Sequence, residues 1–136
     1  MIIGIGSDIV EIGRIDRMLR RHGERFLSRI FTDTERALAE RRGTGALAPT
    51  LAKRFAAKEA AAKALGSGFA GGVKWHEIEV VNDDCGAPRL RLHGGARRRL
   101  LALVPEGREA RTHLTLSDER RHALAVVVIE AVTARC

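Results

Sequence analysis

The chain has 136 residues and is 45% hydrophobic, enough for one domain with a real core, too short for two and too apolar for disorder. Lys and Arg outnumber Asp and Glu by 24 to 17, a net charge of +7, which favours a polyanionic partner such as nucleic acid, a membrane surface, a phosphorylated ligand or an acidic protein. Aromatics are only 4% with no Tyr, which disfavours single-stranded nucleic acid, and two cysteines, Cys85 and Cys136, exclude a disulfide framework and a thiolate zinc site.

Met1 to Val10 reads as a buried strand in which Gly4 and Gly6 allow close backbone approach. The N-terminal apolar run is short and contains Asp8 and Glu11, so no signal peptide is expected. No segment is long enough to span a membrane, so the cytosol is the expected compartment. Gly4-Ile5-Gly6 begins a dinucleotide fingerprint, but Ile9 stands in place of the third glycine and no strand precedes it, so that motif is rejected. Asp8 is a carboxylate among Ile5, Ile9 and Val10. It fits a cap for the next helix as well as it fits a functional acid.

Glu11 to Arg21 is an amphipathic helix with Ile12, Ile15, Met18 and Leu19 as its apolar stripe and Gly23 as its stop. Arg14, Arg17, Arg20 and Arg21 decorate the rest, and Arg25 and Arg29 continue the basic tract. Such a run is usually a solvated face. This one is relieved only by Asp16 and Glu24, which also suits an acidic partner.

Thr32 and Glu35 form a capping box that starts a helix at Asp33, running to about Arg42. Gly43 to Pro49 is expected as a loop. An alanine-rich helix follows from near Thr50 and stops at Gly66 and Gly68. On its wheel Glu59 and Lys63 share one arc with Leu51, Ala52, Phe55, Ala56 and Ala62, while Lys53, Arg54 and Lys58 point elsewhere. A surface ion pair would account for Glu59 and Lys63. So would a ligand that needs both on an inward face, because desolvation makes a buried pair a poor stabiliser.

Ser67 to Gly72 is a glycine-rich loop, either a connector or a set of amides near a phosphate. Trp75 to Val81 and Pro88 to His93 alternate as strands around an Asn82-Asp83-Asp84-Cys85-Gly86 turn, giving a hairpin. Ala96 to Val104 is a short basic helix. Arg111 to Ser117 and Ala123 to Val132 are strands, the last apolar enough to be central. The five histidines show no metal-ligand spacing on a helix. The layout is α+β, a single domain with an antiparallel sheet packed against helices.

Gly4-Ile5-Gly6-Ser7-Asp8-Ile9-Val10-Glu11-Ile12 resembles the first motif of the holo-[acyl-carrier-protein] synthase family of phosphopantetheinyl transferases. The run from Arg54 to Gly66, Arg-Phe-Ala-Ala-Lys-Glu-Ala-Ala-Ala-Lys-Ala-Leu-Gly, resembles the second motif. Asn82 through Leu92 is similar to a third, weaker block. The resemblance covers essentially the whole chain. It implies transfer of 4′-phosphopantetheine from coenzyme A to a serine of an apo acyl carrier protein, with release of adenosine 3′,5′-bisphosphate. It implies magnesium held by Asp8 and Glu59, a catalytic role for Lys63, and a homotrimer with sites between subunits. The chemistry agrees, since magnesium takes one or two carboxylates plus substrate phosphates. Arg54 is a candidate phosphate contact, and Lys63 and Gly66 are assigned with it to coenzyme A. Glu59 and a metal-bound water are both candidates to take the serine proton. Arg14, Met18, Arg21 and Arg25 are the expected contacts for an acidic carrier protein.

Two departures stand out. Many relatives carry Ser-His in the late motif, whereas this chain has Ser117-Asp118, with Arg120 and His122 as candidates to substitute. The chain is also about half the length of two-lobed phosphopantetheinyl transferases, which favours a site shared between chains. Competing readings are a basic nucleic-acid-binding module with structural Asp8 and Glu59, and a metal-dependent nuclease. Neither nucleic acid nor a membrane is the expected partner.

Overall fold

The computed structural model describes residues 1–135. The chain runs β1 (Ile2–Glu11), α1 (Ile12–His22), α2 (Glu24–Ile30), α3 (Asp33–Arg41), α4 (Thr44–Ala64), β2 (Ile78–Asn82), β3 (Pro88–Leu92), α5 (Gly94–Leu103), β4 (Arg108–Asp118) and β5 (His122–Thr133). β1, β5 and β4 form an antiparallel sheet with the apolar β5 in the middle, and β2 and β3 form a separate hairpin. Helices packed against antiparallel sheets give the α+β class expected from the sequence.

Helix α4 is the centre of the core. Alanine favours helix and adds little bulk, and Ala52, Ala56, Ala57, Ala60 and Ala61 are all buried. A helix buried on most of its sides is one surrounded by protein. Here β1 and β5 cover one side, with α1, α3 and β2 around the rest. The contact with β1 is backbone on backbone. A Cβ added to Gly6 would collide with the Ala60 carbonyl oxygen, and one added to Gly4 with that of Ala64. Glycine on the strand and alanine on the helix therefore set how closely the two elements meet.

Several local expectations are corrected. Helix α4 starts at Thr44, not near Thr50, and Pro49 lies inside it. Proline removes one amide donor. The carbonyl left without that donor belongs to Gly45, which is exposed, so water can serve it. Residues 24–30 form α2, which the basic tract concealed. Gly23, at positive φ, donates to the Leu19 carbonyl to close α1, and Phe26 and Ile30, four apart, give α2 its buried side. Residues 75–77 make a 3₁₀ turn, so the first hairpin strand begins only at Ile78. The Asp83 carboxylate accepts from the amides of Cys85 and Ala87 and holds the hairpin turn.

The largest correction concerns the polar side of α4. Arg54 and Lys58 do not point to solvent, being 2% and 0% exposed. Lys58 Nζ donates to the backbone carbonyls of Trp75 and Ile78 and pairs with Glu35 Oε1 at 2.8 Å. Glu35 is more than a helix cap. One carboxylate oxygen accepts from Thr32 N and the other from Val80 N. Four elements are thus tied at one buried point, because a buried ion pair persists only when its remaining hydrogen-bonding capacity is filled.

Candidate active site

Asp8 follows Gly4 and Gly6 on the face of β1 that meets α4. That close crossing puts it against the helix turn that carries Glu59 and Lys63. Lys63 Nζ donates to Asp8 Oδ1 at 3.2 Å and to the Ser7 carbonyl at 2.9 Å. Glu59 is half-buried. Burial first, and the negative charge of Asp8 second, push its carboxyl above the usual range, against the pull of Lys63 and Arg14. Three of the residues expected at the site therefore meet at one crossing. The expected single inward arc does not describe them, since the Lys63 side chain is 54% exposed and lies at the mouth of the crossing.

The Glu59 carboxyl, raised in part by the charge of Asp8, and Asp8 itself, with an ammonium already against it, suit a cation. Among the described residues no group of three or more His, Cys, Asp or Glu is placed to hold a metal. The donor set is hard oxygen and incomplete. That matches a magnesium ion that keeps waters and takes its remaining ligands from substrate phosphates.

Arg54 is not brought to this group. It lies on another side of α4, where its guanidinium reaches Asn82 Oδ1 at 3.5 Å and its buried Nε has no partner among the described residues. Gly66, at positive φ, opens a shallow recess with Ser67, Ala70, Gly71 and Arg99. Arg99 was missed by sequence reasoning. Its Nε donates to the Leu65 carbonyl, which fixes a cation beside the glycine-rich loop. The only hint in the sequence was the basic character of α5. Asp118 pairs with Lys53 Nζ at 3.4 Å. His122 is held by Glu119 through Nδ1 at 2.9 Å, whereas Arg120 is exposed.

Of the expected carrier-protein residues, Met18 and Arg25 share one recess, Arg14 sits over its Phe55, and Arg21 is an exposed residue of α1. Arg14, Arg21 and Arg25 are exposed and Met18 is half-buried. Met18, Phe26, Ile30, Phe55 and Trp75 line a recess of about 440 Å³ rimmed by His22, Arg25 and Arg29. Phe55 stacks on Trp75 with ring centroids 4.9 Å apart, and the Arg14 guanidinium sits 5.7 Å from the Phe55 centroid. Because the charge of Arg14 also acts on Glu59, this residue joins the basic face to the carboxylates.

The outer face of the three-stranded sheet carries an uncovered apolar patch along β1 and β5, while β4 adds His113, Thr115 and Ser117 to that face. Ile5 and Ile9 are 68% and 64% exposed and lie beside Val128 and Leu124 in the register. Ile5 and Val126 also line an open recess beside Lys63. Among the described residues no helix is long and apolar enough to cross a membrane.

Known proteins resemble the chain over nearly its whole length. The sequence profile of the 4′-phosphopantetheinyl transferase superfamily matches residues 4–127. The holo-[acyl-carrier-protein] synthase of Granulibacter bethesdensis is 61% identical, across 97% of this chain and 91% of that protein. The protein of the same name from Methylobacterium sp. strain 4-46 is 58% identical, across 97% and 96%. The crystal structure of the Neisseria meningitidis holo-[acyl-carrier-protein] synthase superposes with a TM-score of 0.83 at 39% identity, covering 96% of this chain and 99% of that one. The Bacillus anthracis enzyme in complex with coenzyme A (3′,5′-ADP) superposes at 0.78 with 39% identity, covering 97% and 99%. With that profile matched over residues 4–127 and such relatives 58–61% identical across 97% of the chain, the chain belongs to the 4′-phosphopantetheinyl transferase superfamily.

Proposed function

We propose that the chain transfers 4′-phosphopantetheine from coenzyme A to a serine of an apo acyl carrier protein, releasing adenosine 3′,5′-bisphosphate. In this reading residues 1–136 act as one domain, in the cytoplasm, with magnesium, in support of fatty acid biosynthesis. The observation that carries it is the meeting of Asp8, Glu59 and Lys63 at the crossing of β1 and α4. Relatives named holo-[acyl-carrier-protein] synthase, and the coenzyme A complex of one of them, support it.

Asp8 and Glu59 would hold the metal, which when bound supplies positive charge to the pyrophosphate and orients it. Lys63 adds a positive charge where negative charge develops in phosphoryl transfer. Gly66 and Arg99 offer a cationic recess for the nucleotide end. Intact-mass measurement of apo carrier protein after incubation with this protein, coenzyme A and magnesium should show one added phosphopantetheine. An unchanged mass would sink the proposal.

The acidic carrier protein docks, in this reading, on Arg14, Met18, Arg21 and Arg25. Exposed charges steer encounter and set orientation more than they add affinity. Arg14 also acts on Glu59, so the cleaner test spares it. Arg21→Glu with Arg25→Glu should raise the KM for carrier protein roughly tenfold, about 1.4 kcal/mol, and leave the KM for coenzyme A nearly unchanged. The wild type should lose carrier affinity as salt rises, since screening acts within about 8–10 Å at physiological ionic strength. An unchanged carrier KM would reduce the arginines to a solvated face.

The chain further assembles, we propose, as a homotrimer through the outer sheet face, with sites between subunits. Exposed Ile5, Ile9 and Leu124 form a patch that a monomer would leave in water. Light scattering should give three times the chain mass. Ile5→Glu with Leu124→Glu should dissociate the trimer and stop transfer. A stable wild-type monomer with full activity would rule the assembly out.

A further inference from the structure

We infer that the Lys63 ammonium and the divalent cation are alternative partners of Asp8, so that metal entry releases Lys63 from β1. This rests on the metal-site reading above and extends it to the state before the metal arrives.

Lys63 is bound twice to one small area of β1, to Asp8 Oδ1 and to the adjacent Ser7 carbonyl. Among the described residues it makes no other ion pair. Its ammonium therefore already fills one cation position on the Asp8 carboxylate. A second cation on the same carboxylate would repel it at short range. The side chain is free to leave, being more than half exposed, whereas Asp8 is held at 18% exposure on the sheet. The other cations on α4 cannot take its place. Lys58 is fully buried on Glu35, and Lys53 is paired with Asp118. Asp8 thus trades a mobile monovalent partner for a divalent one, and the freed ammonium is left at the mouth of the crossing. Linkage makes the exchange reciprocal: whatever removes Lys63 from Asp8 tightens metal binding, and metal binding frees Lys63.

The test uses the full chain without coenzyme A and has two readouts. Manganese uptake is followed by the paramagnetic resonance of the free ion for wild type, Lys63→Met and Asp8→Asn. Acylation of each lysine by a short anhydride is followed by peptide mass with and without magnesium. Exposed Lys74 serves as the reference and buried Lys58 as the unreactive control. Lys63→Met should bind manganese about fivefold more tightly, the equilibrium constant of an ordinary exposed ion pair, and Asp8→Asn should lose the site. Magnesium should raise the acylation of Lys63 relative to Lys74 severalfold in wild type. Asp8→Asn should show the raised rate with no metal added.

Equal manganese affinity in wild type and Lys63→Met overturns the exchange. So does Lys63 acylation that magnesium leaves unmoved, since a lysine that merely repels the metal through space would stay on β1. If carrier protein still gains phosphopantetheine in those cases, only the exchange fails. If no chain takes up manganese and no mass is gained, the metal reading and the proposed function fall with it.

Discussion

Asp8→Asn and Glu59→Gln should each cut phosphopantetheine transfer by at least about a hundredfold, the scale on which single charge-stabilising groups act in a transition state. Both substitutions keep side-chain volume, and both residues are half-buried rather than part of the apolar core. Thermal stability should therefore stay close to wild type. Glu59→Gln should if anything be neutral to stabilising, because burial and the Asp8 charge already disfavour its ionised form. The two losses should be far from additive, since either carboxylate alone makes an incomplete cation site. Single-turnover transfer followed by intact mass gives the rates, and circular dichroism melting gives the control. Near-normal turnover of either variant at low magnesium would remove the two-carboxylate site.

Lys58→Met should be the most destabilising single change in the chain, costing about 3–5 kcal/mol, the usual effect of stranding one partner of a buried ion pair. The reason is specific to its surroundings. Glu35 would remain with no exposure and no counter-charge, while the Trp75 and Ile78 carbonyls would lose a shared donor. Burial already presses the Lys58 ammonium below the usual lysine range, and Glu35 is the main influence holding it charged. Adding Glu35→Gln should recover only part of the loss. Glutamine offers one acceptor oxygen where Thr32 N and Val80 N need two. Urea unfolding would read this as a lower midpoint at unchanged slope. A loss below about 1 kcal/mol would mean that water or a shifted backbone replaces the network.

The chain by itself determined more than the element list. Thr32 and Glu35 marked the start of α3 because a capping box is a local hydrogen-bond exchange. The unbroken apolar run of β5 marked the central strand, because only a strand covered along both edges and one face tolerates it. Asp8, Glu59 and Lys63 were legible as odd polar residues among apolar neighbours and through their resemblance to two motifs. What the sequence could not decide is which way polar side chains face when a helix has no solvent side. On the wheel Lys58 and Arg54 stood off the apolar arc and read as surface. The fold buries them because α3 and the β2–β3 hairpin close over that side of α4, bringing Glu35 and Asn82 from 23 and 28 residues away. Lys63 went the other way, from an expected inward arc to the mouth of the crossing, where it reaches Ser7 and Asp8 of β1 and stays more than half exposed. Local periodicity reports the chance that a residue is covered. Which partner covers it depends on contacts between segments far apart in sequence, and those exist only once the chain has folded.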